Sequence, residues 1–188
     1  MGGDPRVRGG VVVRASGYER AAADWYVEPA WVVDALLAVE SFDGRSWDPC
    51  CGAGNIPRIM ALWGQHCVGS DIADRGYGQP ADFFSTECAD IHNIISNPPY
   101  RLIEPFIRHA LTKATYKVAI LARLALLEGQ KRRTLLQTTP LARVWVSSRR
   151  VSMPPGDTDV PAKGGSIAYA WFVFEHGHSG SPVIGWLP

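Results

Sequence analysis

Four consecutive residues, Asn97-Pro98-Pro99-Tyr100, follow an apolar run that ends at Ser96. The Asn97 amide oxygen and the Pro98 carbonyl oxygen are two acceptors that can be aimed at one point. Consecutive prolines help, because they fix φ, hold the preceding residue extended and remove competing N–H donors. Such a pair suits an amino group whose nitrogen lone pair is delocalised. Aimed at its two hydrogens, the acceptors favour a pyramidal nitrogen and stabilise positive charge as a new N–C bond forms. Tyr100 adds a ring for stacking on a base taken out of a duplex. The competing reading is a plain strand-to-loop turn, where Asn and Pro are common.

A second motif lies upstream, at Asp48-Pro49-Cys50-Cys51-Gly52-Ala53-Gly54-Asn55-Ile56. Between a strand and a helix, a Gly-rich turn lets a ligand approach the backbone, and the helix start offers free N–H groups. By itself the turn also fits many α/β proteins. Pro57 stands where a dinucleotide fingerprint has its third Gly, and no Gly-Lys-Ser/Thr follows, which excludes a phosphate loop. Asp71 closes the next strand, where a carboxylate can accept from both ribose hydroxyls; a helix N-cap is its alternative reading. Asp82-Phe83-Phe84 can set a carboxylate near an adenine amino group and a ring against its face, or be a strand cap beside two core aromatics.

Positioning these residues requires alternating strands and helices. Residues 29–40 (PAWVVDALLAVE) carry apolar side chains at helical spacing behind Pro29. Helices are also expected over 55–63, 104–114 and 128–138, and strands at 46–48, 66–72, 91–96, 117–124, 144–148 and 167–175. The run at 117–124 is apolar nearly throughout, as a buried parallel strand should be. The aromatic IAYAWFVFE segment at 167–175 is strongly β-prone. This alternation predicts an open, mostly parallel α/β sheet. Residues 1–23 read as a loose arm and 24–188 as one domain. The Pro- and Gly-rich stretch 152–166 reads as a long loop.

The 188 residues suffice for one core, and their 46% hydrophobic content is that of a soluble globular chain. No apolar run reaches membrane-span length and the N-terminus has no secretory core, so an intracellular, cytoplasmic protein is expected. Cys50, Cys51, Cys67 and Cys88 lack zinc-site spacing and read as buried thiols; no metal is expected. The net charge of +1 conceals an imbalance: residues 1–100 carry 7 basic and 13 acidic side chains, residues 101–165 carry 12 and 4. A basic second half fits a nucleic-acid partner or a solvated surface.

Together, DPCCGAGNI and NPPY resemble the amino-methyltransferase branch of the class I S-adenosyl-L-methionine-dependent enzymes, above all phage and restriction-type DNA adenine-N6 methyltransferases. Residues 24–37 (DWYVEPAWVVDALL) are similar to the segment that closes over the methionine end of the cofactor in some of them. The resemblance covers roughly residues 24–175. It implies a Rossmann-like fold with a seven-stranded sheet and one antiparallel strand, 167–175. It implies S-adenosyl-L-methionine held by Tyr26, Pro29, Asp48, Pro49, Cys50, Gly52, Gly54, Asp71, Ile72, Asp82, Phe83 and Asn97, with Asn97, Pro98 and Tyr100 at the chemistry. Pro99, Tyr100, Arg101, Lys131, Arg132, Arg133, Arg149 and Arg150 are the substrate candidates. Ile56 departs from the family, which often has Phe there. Only about 13 residues follow Glu175, so no separate target-recognition domain is expected. DNA is the leading partner. RNA base methylation (adenine N6 or guanine N2), protein glutamine-N5 methylation and a non-catalytic binding role are the alternatives.

Overall fold

The computed structural model describes residues 25–156 and 165–188. The proposed arm and most of the 152–166 loop lie outside the described residues. Among the described residues, one sheet of eight strands runs in the order β3-β2-β1-β4-β5-β7-β6-β8. The strands are β1 Ser46–Asp48, β2 Cys67–Asp71, β3 Gln79–Pro80, β4 Asn93–Ser96, β5 Lys117–Arg123, β6 Leu141–Val146, β7 Tyr169–Glu175 and β8 Val183–Trp186. Among the described strands only β7 runs against its neighbours, pairing antiparallel with both β5 and β6. That single reversal falls on the predicted segment, but the sheet has eight strands rather than seven. The sequence gives no strong signal at β3, which is two residues long, or at β8.

Residue alternation builds two cores from one sheet. Val118, Ile120 and Ala122 of β5, with Phe172 and Phe174 of β7, join the cluster that includes Phe106, Ile107 and Leu135. Ala119 and Leu121, with Trp171 and Val173, join the cluster that includes Val32, Leu36, Ile56 and Met60. The second cluster therefore receives α1 (Ala30–Leu37) and α2 (Asn55–Leu62). The first receives α3 (Ile103–Lys113) and α4 (Gln130–Gln137). This is a three-layer α/β/α arrangement, with period-2 strands feeding two helical layers. The Trp171 indole N–H donates to the Val32 carbonyl at 2.9 Å and fastens β7 to α1.

Local chemistry sets the ends of these elements. Pro29 is the extended N-cap of α1 rather than part of its first turn. Gly54 caps α2 in a left-handed conformation, φ 86°, which costs a residue without Cβ little. The connections from β1 lead outward to β2 and β3, and the chain then returns to place β4 on the other side of β1. Strand order thus reverses at β1, and the carboxyl ends of β1, β2 and β4 open onto one crevice.

Candidate active site

That crevice takes in about 830 Å³ of space, its open mouth included. Its wall contains Trp25, Tyr26, Val27 and Glu28 before α1, Pro49 to Ala53 after β1, and Asp71, Ile72 and Arg75 after β2. Asp82, Phe83 and Phe84 follow, then Asn97, Pro99 and Leu102 after β4. Three motifs far apart in sequence are therefore on one surface. Two large apolar side chains, Ile72 at 72% and Phe84 at 41% exposure, stand open at this surface.

Asn97 is held in a defined orientation. Its amide nitrogen donates to the Tyr26 carbonyl at 3.1 Å and to Glu28 Oε2 at 2.9 Å, with Met153 Sδ at 4.0 Å. The Tyr26 carbonyl can only accept, so the nitrogen must face it and the amide oxygen must face away. Pro98 is buried, and its neighbours Asn97 and Pro99 form the wall. Glu28, which belongs to no motif in the sequence, is 7% exposed. Burial pushes its carboxyl up to about 7, even though the hydrogen bond from Asn97 favours the charged form. The Asn55 side chain donates to the Glu28 carbonyl at 2.9 Å and ties this segment to the start of α2. In sequence Glu28 is only an acid before a helix; its burial against Asn97 comes from the fold.

Asp71 has more neighbours than a free ribose acceptor would. Oδ2 accepts from the Gly52 N–H at 3.0 Å; Oδ1 accepts from the Ala73 N–H at 3.1 Å and from Arg75 Nε at 3.2 Å. The carboxylate thus fixes the glycine turn as well as facing the cleft. Arg75 in turn lies over the Trp25 ring, 4.0 Å from its centroid. Trp25 packs so closely on Gly52 that a Cβ there would meet the indole nitrogen at 2.6 Å. Residues 25–27 are themselves strapped to 154–156 by backbone hydrogen bonds from Val27 to Pro154 and from Gly156 to Trp25.

Several predicted residues stand elsewhere than expected. Asp48 is 1% exposed beneath the turn, accepting from Ser96 Oγ at 2.7 Å and from the Cys50 N–H at 3.1 Å. Its carboxyl is pushed well up by burial and by Glu28. Pro29 and Gly54 cap helices and do not line the cleft. Phe83 reaches the cleft but is 4% exposed and packs on Trp47, Phe106 and His109, so Phe84 is the accessible ring. The Asp82 carboxylate accepts from the Phe84 N–H at 3.0 Å and shapes that turn. Cys50 and Cys51 line the cleft, yet burial raises both thiols, Cys51 to about 12.

Tyr100 also differs from the open stacking platform expected of it. Its ring has Arg123 at 4.6 Å and Arg132 at 5.1 Å from the centroid, and it lies outside the cleft wall. Arg132 also donates to the Ala125 carbonyl at 2.9 Å and faces Glu104 at 3.8 Å, so it is a structural member of the Lys131–Arg133 cluster. Lys131 and Arg133 are exposed, as are Arg101, Arg149 and Arg150. All five follow the carboxyl ends of β4, β5 or β6, the edge that carries the cleft. Arg149 lies over Trp31 at 4.4 Å.

Among the described residues, no group of three His, Cys, Asp or Glu side chains could hold a metal ion. None of the described helices is long and apolar enough to cross a membrane.

No protein-family model matches the sequence, and no curated protein matches it. Solved structures do. A protein from Pyrococcus horikoshii named for a proposed RNA methyltransferase activity superposes with a TM-score of 0.63 at 14% identity, over 81% of this chain and 87% of that one. A type I restriction-modification methyltransferase subunit from Streptococcus thermophilus gives 0.56 at 12% identity, over 86% of this chain and 46% of that one. This chain therefore spans less than half the length of that subunit. The magnesium protoporphyrin IX methyltransferase of Synechocystis, solved with S-adenosylmethionine bound, gives 0.53 at 16% identity, over 79% and 77%. The fold of this chain is the Rossmann-like class I methyltransferase fold.

Proposed function

We propose that the chain transfers a methyl group from S-adenosyl-L-methionine to an exocyclic amino nitrogen of a nucleic-acid base, with adenine N6 of DNA as the foremost target. The observation that carries this reading is the orientation of Asn97. Its two amide hydrogens are committed to the Tyr26 carbonyl and Glu28, which leaves the oxygen as the acceptor this side chain can offer a ligand. An acceptor fixed before the substrate arrives need not reorganise as charge develops on the amino nitrogen.

The cleft residues fit the cofactor. Asp71 and Asp82 suit a ligand that carries cationic centres and two ribose hydroxyls, and the exposed Ile72 and Phe84 suit a purine. Gly52 lies in the same wall without a side chain. When bound, this cofactor supplies a methyl group on a cationic sulfur, so no strong base is needed beforehand. The protein's part is to hold the amino group. Asn97 Oδ1 accepts one of its hydrogens and the Pro98 carbonyl accepts the other, while Pro99 and Leu102 border the base. Arg101, Lys131, Arg133 and Arg150 are free to neutralise phosphates, with Arg149 exposed over Trp31, which gives affinity and salt dependence but no base sequence.

The Streptococcus relative in fold is a type I restriction-modification methyltransferase subunit by name, and the Pyrococcus one is named for RNA. RNA is the second reading, because its unstacked bases would enter the same pocket without the cost of flipping. Incubating the full chain with labelled S-adenosylmethionine and separate DNA, RNA and protein pools, then digesting each, tests both. The proposal predicts N6-methyladenosine of the deoxy series. The methylated ribonucleoside would select the RNA reading, and label in no nucleoside would refute the proposal.

A further inference from the structure

Glu28 lies at the cleft wall with its carboxylate 2.9 Å from the nitrogen of Asn97, and nothing in the chemistry set out above needs it to touch the substrate. We infer that Glu28 is a positioning residue: it holds the Asn97 amide with its oxygen toward the substrate amino group and, with the Tyr26 carbonyl, prevents the amide from turning over. This rests on the amino-transfer reading of Asn97.

An amide has two N–H donors and one acceptor oxygen. Asn97 spends its nitrogen on two acceptors contributed by the segment before α1, one a backbone carbonyl and one a side chain. Without the side chain, a single carbonyl at 3.1 Å resists rotation of the amide, and the oxygen and nitrogen can exchange places. The exchanged form would present N–H donors to an amino group that needs acceptors, so the fraction of enzyme in that form is inactive. An ionised Glu28 can only accept. A protonated one can also donate to an amide oxygen and thereby stabilise the wrong orientation.

Burial raises the Glu28 carboxyl to about 7, so the switch between these forms falls in the range where enzymes work. The titratable groups around it are carboxylates and thiols. Asp48 at the end of β1 is raised in part by Glu28, and Cys51 in the glycine turn is coupled to it more weakly. Asp71 faces the same cleft but is partnered by Arg75. None of these supplies a proton acceptor to Asn97, whose nitrogen contacts are Tyr26, Glu28 and Met153.

Two measurements on the full chain test this. The first is the side-chain amide spectrum of ¹⁵N-labelled protein between pH 5 and 9, with the Asn97 signals identified by their loss in Asn97→Ala. The expected result is a shift of the Asn97 pair with a midpoint near 7 in the parent and a flat response in Glu28→Gln. Signals that do not move in the parent, or that still titrate in Glu28→Gln, would overturn the inference. The second is a double-mutant cycle on single-turnover methyl transfer. Glu28→Leu should slow transfer by about ten- to a hundredfold, the effect of one hydrogen bond to a charged group, with Glu28→Gln recovering part of it. In an Asn97→Ala background Glu28→Leu should change nothing further. An equal loss in both backgrounds would mean that Glu28 acts independently, contrary to the inference. A parent chain that methylates no pool while its Asn97 amide still titrates would refute the methyl-transfer reading and leave the pairing of the two side chains established.

Discussion

Asp71 joins the wall of the cleft to the turn beside it. Its carboxylate accepts from the Gly52 N–H, from the Ala73 N–H and from Arg75. Asp71→Ala should therefore weaken S-adenosylmethionine binding and lower the melting temperature together, by about 1.5–3 kcal/mol for each hydrogen bond to the charged group that is lost. Calorimetry and a thermal melt on the same sample check this; an unchanged affinity would remove Asp71 from the cofactor site. Glu28 makes the opposite demand on folding. Its folded pKa of about 7 exceeds its ordinary value of 4.5, so its contribution is complete below 4.5 and is lost as pH rises through 7. Glu28→Gln should accordingly melt higher than the parent at pH 8.5 and lose that advantage by pH 5. At this scale the sequence was informative about which side chains meet. Asn97, Asp71, Gly52 and Tyr26 were all legible from motif and order. What Glu28, Trp25 and Arg75 do was not, because each depends on a neighbour 50 to 69 residues away.

At the scale of elements, the glycine turn shows why spacing carried so much. Gly52 and Gly54 have φ of 52° and 86°, where an added Cβ is strained even in open space, and neither space is open. Gly54 faces the Tyr77 ring and Gly52 the Trp25 indole. Gly52→Val should abolish measurable cofactor binding by displacing Trp25. Gly54→Ala should lower the melting temperature and leave binding weaker but detectable, since Gly54 is not in the wall. Loss of cofactor binding in Gly54→Ala alone, with Gly52→Val unaffected, would show that the turn is read in the wrong register. The long strands β5 and β7 were legible because apolar, β-branched and aromatic residues fill both of their faces. β8 was not: Val183, Ile184 and Trp186 are exposed, and Gly185 lies under the Trp145 ring, so its pairing with β6 is set by tertiary contact rather than by pattern. The short β3 owes its existence to pairing with β2 and to no propensity of its own.

Over the whole molecule, the basic excess of the second half divides into two populations. Lys117 and Arg143 both pair with the buried Glu40, to which the Trp145 indole also donates at 2.8 Å. Arg123 and Arg132 sit at the Tyr100 ring. These four are structural. Burial favours the neutral form of Glu40, but the hydrogen bonds from Arg143, Trp145 and Lys117 outweigh it and hold the carboxyl below its usual range. Removing it in Glu40→Ala leaves two cations short of a partner and should cost about 3–5 kcal/mol in a denaturation experiment. The exposed population, Lys131 and Arg133 among them, is the one free for phosphate. Lys131→Ala with Arg133→Ala should reduce nucleic-acid affinity and flatten its salt dependence by about one unit of slope per contact on duplex DNA, without affecting cofactor binding. A salt series identical to the parent's would make that cluster a solvated face. The charge imbalance in the sequence marked the basic half of the chain, but not which of its arginines are already committed.

The orientation of Asn97 is the claim on which the functional account stands, and single-turnover methyl transfer by Asn97→Ala at saturating S-adenosylmethionine, on whichever nucleic-acid pool the parent methylates, tests it most directly. The acceptor acts as charge develops on the amino nitrogen, so its loss should fall on the chemical step and not on binding. We expect a rate lower by about 10²–10³, as for removal of one preorganised group facing transition-state charge, with cofactor affinity by calorimetry and the melting temperature close to the parent's. An Asn97→Ala chain that transfers methyl at the parent rate would contradict the account, whatever the fold has in common with other methyltransferases.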